Sequence, residues 1–151
     1  MLAILSIIVL IAQTNAQPSP TVTLSPEWKV APLEMTETSA YSRKEADGSE
    51  TSISLARDVC DCDPAHRIGM IQSMFQLVPG AVVAKSAVQA CGEQAHRVIV
   101  TGRNTPSNPE ANNLEIIEFR KGAALYTLAY SFLTPAPLPD AEAALMTLCP
   151  T

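Results

Sequence analysis

The strongest constraint on the fold is a series of strand-like segments separated by turns of only a few residues. Asp47-Gly48 stands between two such segments, and Gly92-Glu93 and Lys121-Gly122 mark two more tight turns. Connections of this length join antiparallel neighbours, because parallel strands need a crossover of a dozen or more residues. The pattern therefore predicts a mostly antiparallel sheet.

A first helix is predicted to begin at Asp63-Pro64. Aspartate at the N-cap accepts hydrogen bonds from free backbone N–H groups, and proline fits the first helical turn. Apolar residues then recur at helical spacing at Ile68, Ile71, Phe75 and Val78, and the stripe is widened by Met70, Met74 and Leu77. A soft metal site or a hydrophobic ligand site is the alternative, but we expect this stripe to fill the core.

A second helix is predicted at the C-terminal end, in "DAEAALMTLC" (140–149), with Cys149 at its end. Its apolar stripe comprises Ala141, Ala144, Leu145 and Leu148. Before it, "ALYTLAYSF" is apolar on both faces, which is typical of a central strand covered on both sides. The element order β-β-β-α-β-β-β-β-α predicts an α+β fold, a mostly antiparallel sheet with helices on its faces.

The N-terminal segment has the pattern of a secretory signal peptide. As a helix, the apolar run Leu2–Ala12 would be about 16 Å long, too short for a hydrocarbon layer of roughly 30 Å. Small residues in Thr14-Asn15-Ala16 suit a cleavage site. We predict a signal peptide at 1–16, a flexible segment at 17–25 and a single α+β domain at 26–151; an uncleaved membrane-associated start is the alternative.

The charge balance restricts the partners. The chain has 10 Lys and Arg against 15 Asp and Glu, a net charge of −5, and its basic residues form no cluster larger than a pair. Phosphate binding needs several basic side chains on one surface, so we expect no nucleic-acid partner. We also expect no stable membrane insertion after signal cleavage, and a periplasmic or secreted location.

Four cysteines, Cys60, Cys62, Cys91 and Cys149, stand in this exported chain, and an even number predicts disulfides. Residues two apart in a strand lie near 6.5 Å from each other, so a Cys60–Cys62 bridge would close a strained ring. Three pairings are open. We favour two long-range bridges, in which each CxC cysteine meets a distant partner.

The segment "DVCDCDPAH" (58–66) also suggests other chemistry. Cys60, Cys62 and His66 could supply ligands for zinc or copper, with Cys91, Cys149 or Asp63 completing the set. The spacing lacks the CxxC of structural zinc sites and helix capping explains the aspartates, so we predict no metal and no cofactor. A redox-active CxC pair is a further alternative.

Catalytic signatures are missing from the sequence. It contains no GxSxG, HExxH or P-loop motif. Cys91 with His96 is a conceivable nucleophile–base pair, but disulfide formation would compete for the cysteine. We therefore expect a protein that is not an enzyme, with no catalytic or cofactor-binding residues.

The element order resembles the PsbP-like, Mog-type α/β/α sandwich, whose members include photosystem-associated lumenal proteins, Ran-binding proteins and many small bacterial exported proteins. The resemblance spans about residues 26–149. It rests on Trp28 in the first strand, a helix after the third strand, the strand pair "AVVAKSAVQACGEQAHRVIVTG", the Gly122 hairpin, "ALYTLAYSF" and a closing helix after "PAPLP". A cystatin-like or other α+β fold fits the same order.

The resemblance implies a binding or assembly protein and carries over no functional residues. Our hypothesis is an exported, non-enzymatic domain that binds a protein or a small molecule. The alternative is a metal- or redox-linked protein that uses the CxC segment.

Overall fold

A computed structural model describes residues 24–32 and 37–151. The predicted signal peptide at 1–16 and most of the segment 17–25 lie outside the described residues. The elements in chain order are β1 (Lys29–Ala31), β2 (Thr38–Lys44), β3 (Glu50–Asp58), α1 (Pro64–Gln76), β4 (Val82–Ala90), β5 (Glu93–Thr101), β6 (Asn113–Lys121), β7 (Ala124–Phe132) and α2 (Pro139–Met146).

The strands form one sheet in the order β1-β2-β3-β7-β6-β5-β4. Every neighbouring pair is antiparallel, so the predicted antiparallel sheet and the α+β class are confirmed. The aromatic strand β7 has three strands on each side, as its apolar pattern predicted.

The β4–β5 hairpin turns at Cys91-Gly92, one residue earlier than predicted. Ala90 pairs with Glu93, which leaves a two-residue turn. Both turn residues have positive φ, 55° for Cys91 and 81° for Gly92. Type I′ turns need this conformation at both positions, because their twist then matches that of the flanking strands. Cys91 is therefore at a hairpin tip and not within a strand.

The two helices pack against opposite faces of the sheet. On one face, Ile68 of α1 is buried against Val98 and Val100, with Ile116 packed beside them. On the other face lies a larger core that holds the buried side of α2 together with Ile117. Because side chains alternate along a strand, the neighbours Ile116 and Ile117 of β6 pack into different cores.

The helix termini agree with the sequence at α1 and differ at α2. Asp63 is the N-cap of α1, and its Oδ1 accepts a hydrogen bond from the Ala65 N–H at 3.0 Å. The helix α2 ends at Met146, so the prediction that Cys149 ends this helix is wrong. Ala141, Leu145 and Leu148 are nevertheless buried, as their spacing predicted.

Arg43 of β2 ties the N-terminal segment and α2 to the sheet. Its Nη1 lies 2.6 Å from Asp140 of α2 and 3.2 Å from Glu27, and its Nε lies 2.9 Å from Glu45. Its guanidinium also lies 4.7 Å from the centre of the Trp28 ring. The Arg43 side chain is only 7% exposed, so these contacts replace its hydration.

We predict that Arg43→Met lowers the free energy of unfolding by about 1.5 to 3 kcal/mol, because it removes charge-assisted hydrogen bonds from a buried site. Denaturant unfolding monitored by circular dichroism measures the loss. Arg57→Met is the matched control, since Arg57 is 36% exposed and, among the described residues, forms its ion pair with Glu37 at 3.4 Å. The control should change stability by less than about 1 kcal/mol. Equal losses in both variants would contradict the role assigned to Arg43.

Candidate functional site

An exposed apolar surface lies where α1 turns into β4. Met70 and Met74 of α1 and Leu77 directly after it, here called the apolar corner, are between 58% and 84% exposed. They are three of the six large hydrophobic residues that are exposed in the described part of the chain; the other three are Val30, Val59 and Val82. Between Arg67 and Lys85 the sequence has no charged residue. The surface is therefore apolar and comes from an uncharged stretch of the sequence.

The exposure of the apolar corner corrects a prediction. Met70, Met74 and Leu77 were expected to fill the core, but only one side of α1 reaches the sheet, where Ile68 is buried and Ile71 and Phe75 are packed beside it. The apolar residues of α1 cover more than the roughly 100° of helix surface that a single sheet contact buries. The apolar residues outside this contact face away from the sheet.

The turn that follows α1 is held in place at the apolar corner. The N–H of Ala81 donates to the Val78 carbonyl at 3.1 Å. Gly80 and Gly102 lie so close that a Cβ atom on Gly102 would come within 2.5 Å of the Gly80 carbonyl oxygen. The guanidinium of Arg103 lies 5.1 Å from the centre of the Phe75 ring. The corner is thus a preformed surface, fixed against the end of β5.

At the other end of α1, Cys60 and Cys62 form a disulfide with a Cα–Cα distance of 5.2 Å. The expectation of two long-range bridges from the CxC segment is therefore wrong. It assumed an extended strand, but β3 ends at Asp58 and the following backbone is irregular, which brings the two Cα atoms closer. Arg120 holds this segment, since its Nη1 donates to the carbonyls of Cys60 at 2.8 Å and Cys62 at 2.9 Å.

The second disulfide joins Cys91 at the β4–β5 hairpin tip to Cys149 after α2, 58 residues later. By loop-closure entropy a bridge over this span stabilises the fold by about 4 kcal/mol, whereas a bridge across one intervening residue contributes about 1.5 kcal/mol. Cys91–Cys149 therefore fastens the C-terminal end to the sheet. Cys60–Cys62 spans only Asp61 and connects no two elements.

The structure does not place His66 with the two CxC sulfurs as a ligand set. Within the described residues, the group of potential metal ligands that lie within 4.8 Å of one another is Asp58, Cys60 and Cys62. His66 is exposed on the first turn of α1. Because the two sulfurs are bonded to each other, this arrangement offers no thiolate to a metal. The absence of a metal stays a prediction.

The other histidine lies in a hollow of about 340 Å³ at the β4–β5 hairpin, lined by Ala87, Val88, Gln89, Gln94, Ala95 and His96. Cys91, its conceivable nucleophilic partner, is bonded to Cys149. The hollow therefore has no free thiol from Cys91.

Two buried carboxylates on β6 were missed by the sequence reasoning. Glu118 faces α1, where its Oε1 lies 3.1 Å from Arg67 Nε and accepts a hydrogen bond from the Thr127 hydroxyl at 3.2 Å. Burial raises its pKa, and the Arg67 charge opposes that rise. The signal was available, because two acids stand among apolar residues in "LEIIEF" (114–119) of a long strand.

Glu115 faces α2 and lies 3.5 Å from Arg97 Nη1. Burial, followed by the negative charge of Glu142, raises the pKa of Glu115 to about 7, although Arg97 pulls in the opposite direction. A carboxylate at this position is therefore partly protonated near neutral pH.

No family model matches this chain, and no curated protein sequence matches it. Among solved structures, it is similar to LpqN of Mycobacterium tuberculosis, a protein described as involved in cell envelope biogenesis. The TM-score is 0.52 with 18% sequence identity, and the match covers 88% of this chain and 80% of the other. At this identity the likeness shows the fold alone.

In the residues that the structure describes, no helix combines the length and the apolar character needed to cross a membrane.

We predict that Cys91→Ser/Cys149→Ser lowers the free energy of unfolding by up to about 4 kcal/mol, and that Cys60→Ser/Cys62→Ser lowers it by no more than about 1.5 kcal/mol. The two double variants are matched, since each exchanges two sulfurs for oxygens. Denaturant unfolding under non-reducing conditions measures both. A larger loss in the CxC variant would show that Cys60–Cys62 stabilises the fold more than its short span implies.

We also predict a pH dependence that originates from Glu115. Its folded-state pKa lies above the ordinary value of 4.5, so its contribution is fully present below pH 4.5 and is lost as pH rises to about 7. Between pH 4 and pH 8, the free energy of unfolding of Glu115→Gln should therefore rise by up to about 3 kcal/mol relative to that of the wild type. Unfolding curves at both pH values measure it, with exposed Glu110→Gln as control. A constant difference across this range would contradict the assignment.

Proposed function

We propose that this chain is an exported, non-enzymatic domain that binds a partner protein of the cell envelope through the apolar corner. The observation that carries the proposal is the exposure of Met70, Met74 and Leu77 within a stretch that has no charged residue. Contiguous apolar surface rimmed by polar residues marks interaction sites in proteins that otherwise stay soluble.

The chemistry of the corner favours a protein over a small molecule. Small ligands are held in concave pockets that surround most of their surface, whereas the corner lies on the outer side of a helix and its following turn. Methionine side chains are flexible and polarisable, so Met70 and Met74 can adapt to the side chains of a partner. An apolar helix face of this kind suits a hydrophobic groove on another protein.

Three observations support the export and envelope parts of the proposal. The sequence begins with the pattern of a signal peptide. All four cysteines are in disulfides, which persist in oxidising compartments. LpqN, which shares the fold, is described as involved in cell envelope biogenesis. The non-enzymatic part rests on the sequence, in which no catalytic motif was found.

The placement of the two helices supports a PsbP-like architecture. A PsbP-like α/β/α sandwich needs a helical layer on each face of the sheet, and α1 and α2 pack into separate cores on opposite faces. We propose this arrangement as the family architecture of the chain, with binding or assembly as the function that the resemblance implies.

Site-specific photocrosslinking in the native compartment, followed by mass spectrometry, tests the binding proposal. Met74→Glu/Leu77→Glu places two charges in the corner, and Ser73→Glu/Gln76→Glu places two charges on exposed neighbouring positions of the same turns. The wild type and the Ser73/Gln76 variant should yield the same crosslinked envelope protein, and the Met74/Leu77 variant should yield at least about tenfold less. Equal yields from all three would overturn the proposal.

A further inference from the structure

We propose that the Cys60–Cys62 disulfide is a thiol–disulfide exchange site, which accepts two electrons from a pair of cysteine thiols on another protein. The inference goes beyond the binding proposal, and it holds whichever surface recognises the partner.

Reduction of this disulfide costs the fold little. Cys60–Cys62 spans only Asp61 and lies between the end of β3 and the start of α1. No two elements separate when it opens, unlike Cys91–Cys149, which joins the hairpin tip to the chain after α2. A disulfide whose opening leaves the native contacts intact is more easily reduced than one that fastens the fold.

The segment that holds this disulfide is open to a partner. Both CxC cysteines are half-buried in a segment whose neighbours Asp58, Val59 and Asp61 are exposed. A thiolate must approach a sulfur atom in line with the bond that breaks, so a partner needs room on this side of the molecule. Val59 is 62% exposed directly before Cys60 and offers an apolar contact to such a partner.

The segment keeps its shape after the bond opens. Arg120 Nη1 holds the backbone carbonyls of Cys60 and Cys62, and its Nη2 donates to the Ala123 carbonyl at 3.2 Å. The Asp63 carboxylate caps α1 immediately afterwards. None of these contacts uses a sulfur atom, so the two thiols stay close and the ring can close again.

The local charges partly offset one another. Three aspartates in 58–63 disfavour a thiolate, but Asp58 lies 3.4 Å from Arg67 and Asp63 is engaged as the helix cap. The Arg120 guanidinium and the N-terminal end of α1 add positive potential close to Cys62, which favours its thiolate as the leaving group.

The exchange balances in atoms and electrons. A partner thiolate attacks the sulfur of Cys60, the bond to Cys62 breaks, and Cys62 leaves as a thiolate that takes up a proton. The second partner thiolate then attacks the partner sulfur that is bonded to Cys60 in the mixed disulfide. This releases Cys60 as a thiolate, which also takes up a proton. The partner dithiol is oxidised to a disulfide, and two electrons and two protons pass to the Cys60/Cys62 pair.

The wild-type protein provides its own control, because both disulfides are in one molecule. We would equilibrate it in glutathione buffers of graded ratio, alkylate free thiols and locate the labels by peptide mass spectrometry. Cys60 and Cys62 should become half-labelled at a value of [GSH]²/[GSSG] at least about tenfold below that for Cys91 and Cys149. Equal ratios, or labelling of Cys60 and Cys62 only when the protein unfolds, would overturn the proposal.

A second measurement separates an exchange site from a merely reducible bond. The oxidised protein is mixed with a short peptide that has two reduced cysteines. The wild type should form about one peptide disulfide for each Cys60–Cys62 disulfide that is reduced. Over the same time, Cys60→Ser/Cys62→Ser should form no peptide disulfide. Failure of the wild type to oxidise the peptide would overturn the proposal. Neither measurement involves the apolar corner, so its outcome leaves the binding proposal unaffected.

Discussion

The sheet has apolar side chains on both of its faces, and the need to cover both faces determines where the two helices pack. In β6 the consecutive residues Ile116 and Ile117 are packed into different cores. Each face must be covered to remove these side chains from water, and the described chain has one helix for each face. Because α1 is alone on its face, it packs against β4, β5 and β6 with one side only, and its other side remains open.

The contacts around the two helices differ between the two faces of the sheet. Arg43 and the Cys91–Cys149 disulfide fasten the segments at the two ends of α2 to the sheet, over the larger core. On the side of α1, Arg67 pairs with buried Glu118 and Arg120 holds the CxC carbonyls. At about 20 Å, a helix of 13 residues is short enough for one partner protein to contact both ends, the disulfide at the start and the apolar corner at the end.

Local signals in the sequence predicted the features that depend on neighbouring residues. The strand alternation, the hairpins and the Asp63 cap were all recognisable, because turn conformation and capping are decided within a few residues. The tertiary placement of side chains could not be recognised from such local signals. The spacing of Met70 and Met74 shows that they share a helix side but not how far the sheet extends beneath it, so they were assigned to the core. The disulfide pairing failed for a related reason, since the end of β3 at Asp58 changed the distance between Cys60 and Cys62. Arg43 joins Glu27 and Asp140, which are far apart in sequence, and no local pattern indicates such a contact.

The central claim is that Cys60–Cys62 and the start of α1 form a unit whose chemistry is separate from the stability of the sheet. Hydrogen exchange measured by mass spectrometry on the wild type and on Cys60→Ser/Cys62→Ser tests it most directly. We predict that faster exchange in the variant is confined to the segment around residues 59–67, with β3, β7 and α2 protected as in the wild type. Faster exchange throughout β6, β7 or α2 would contradict the claim, because it would mean that the CxC disulfide supports the core.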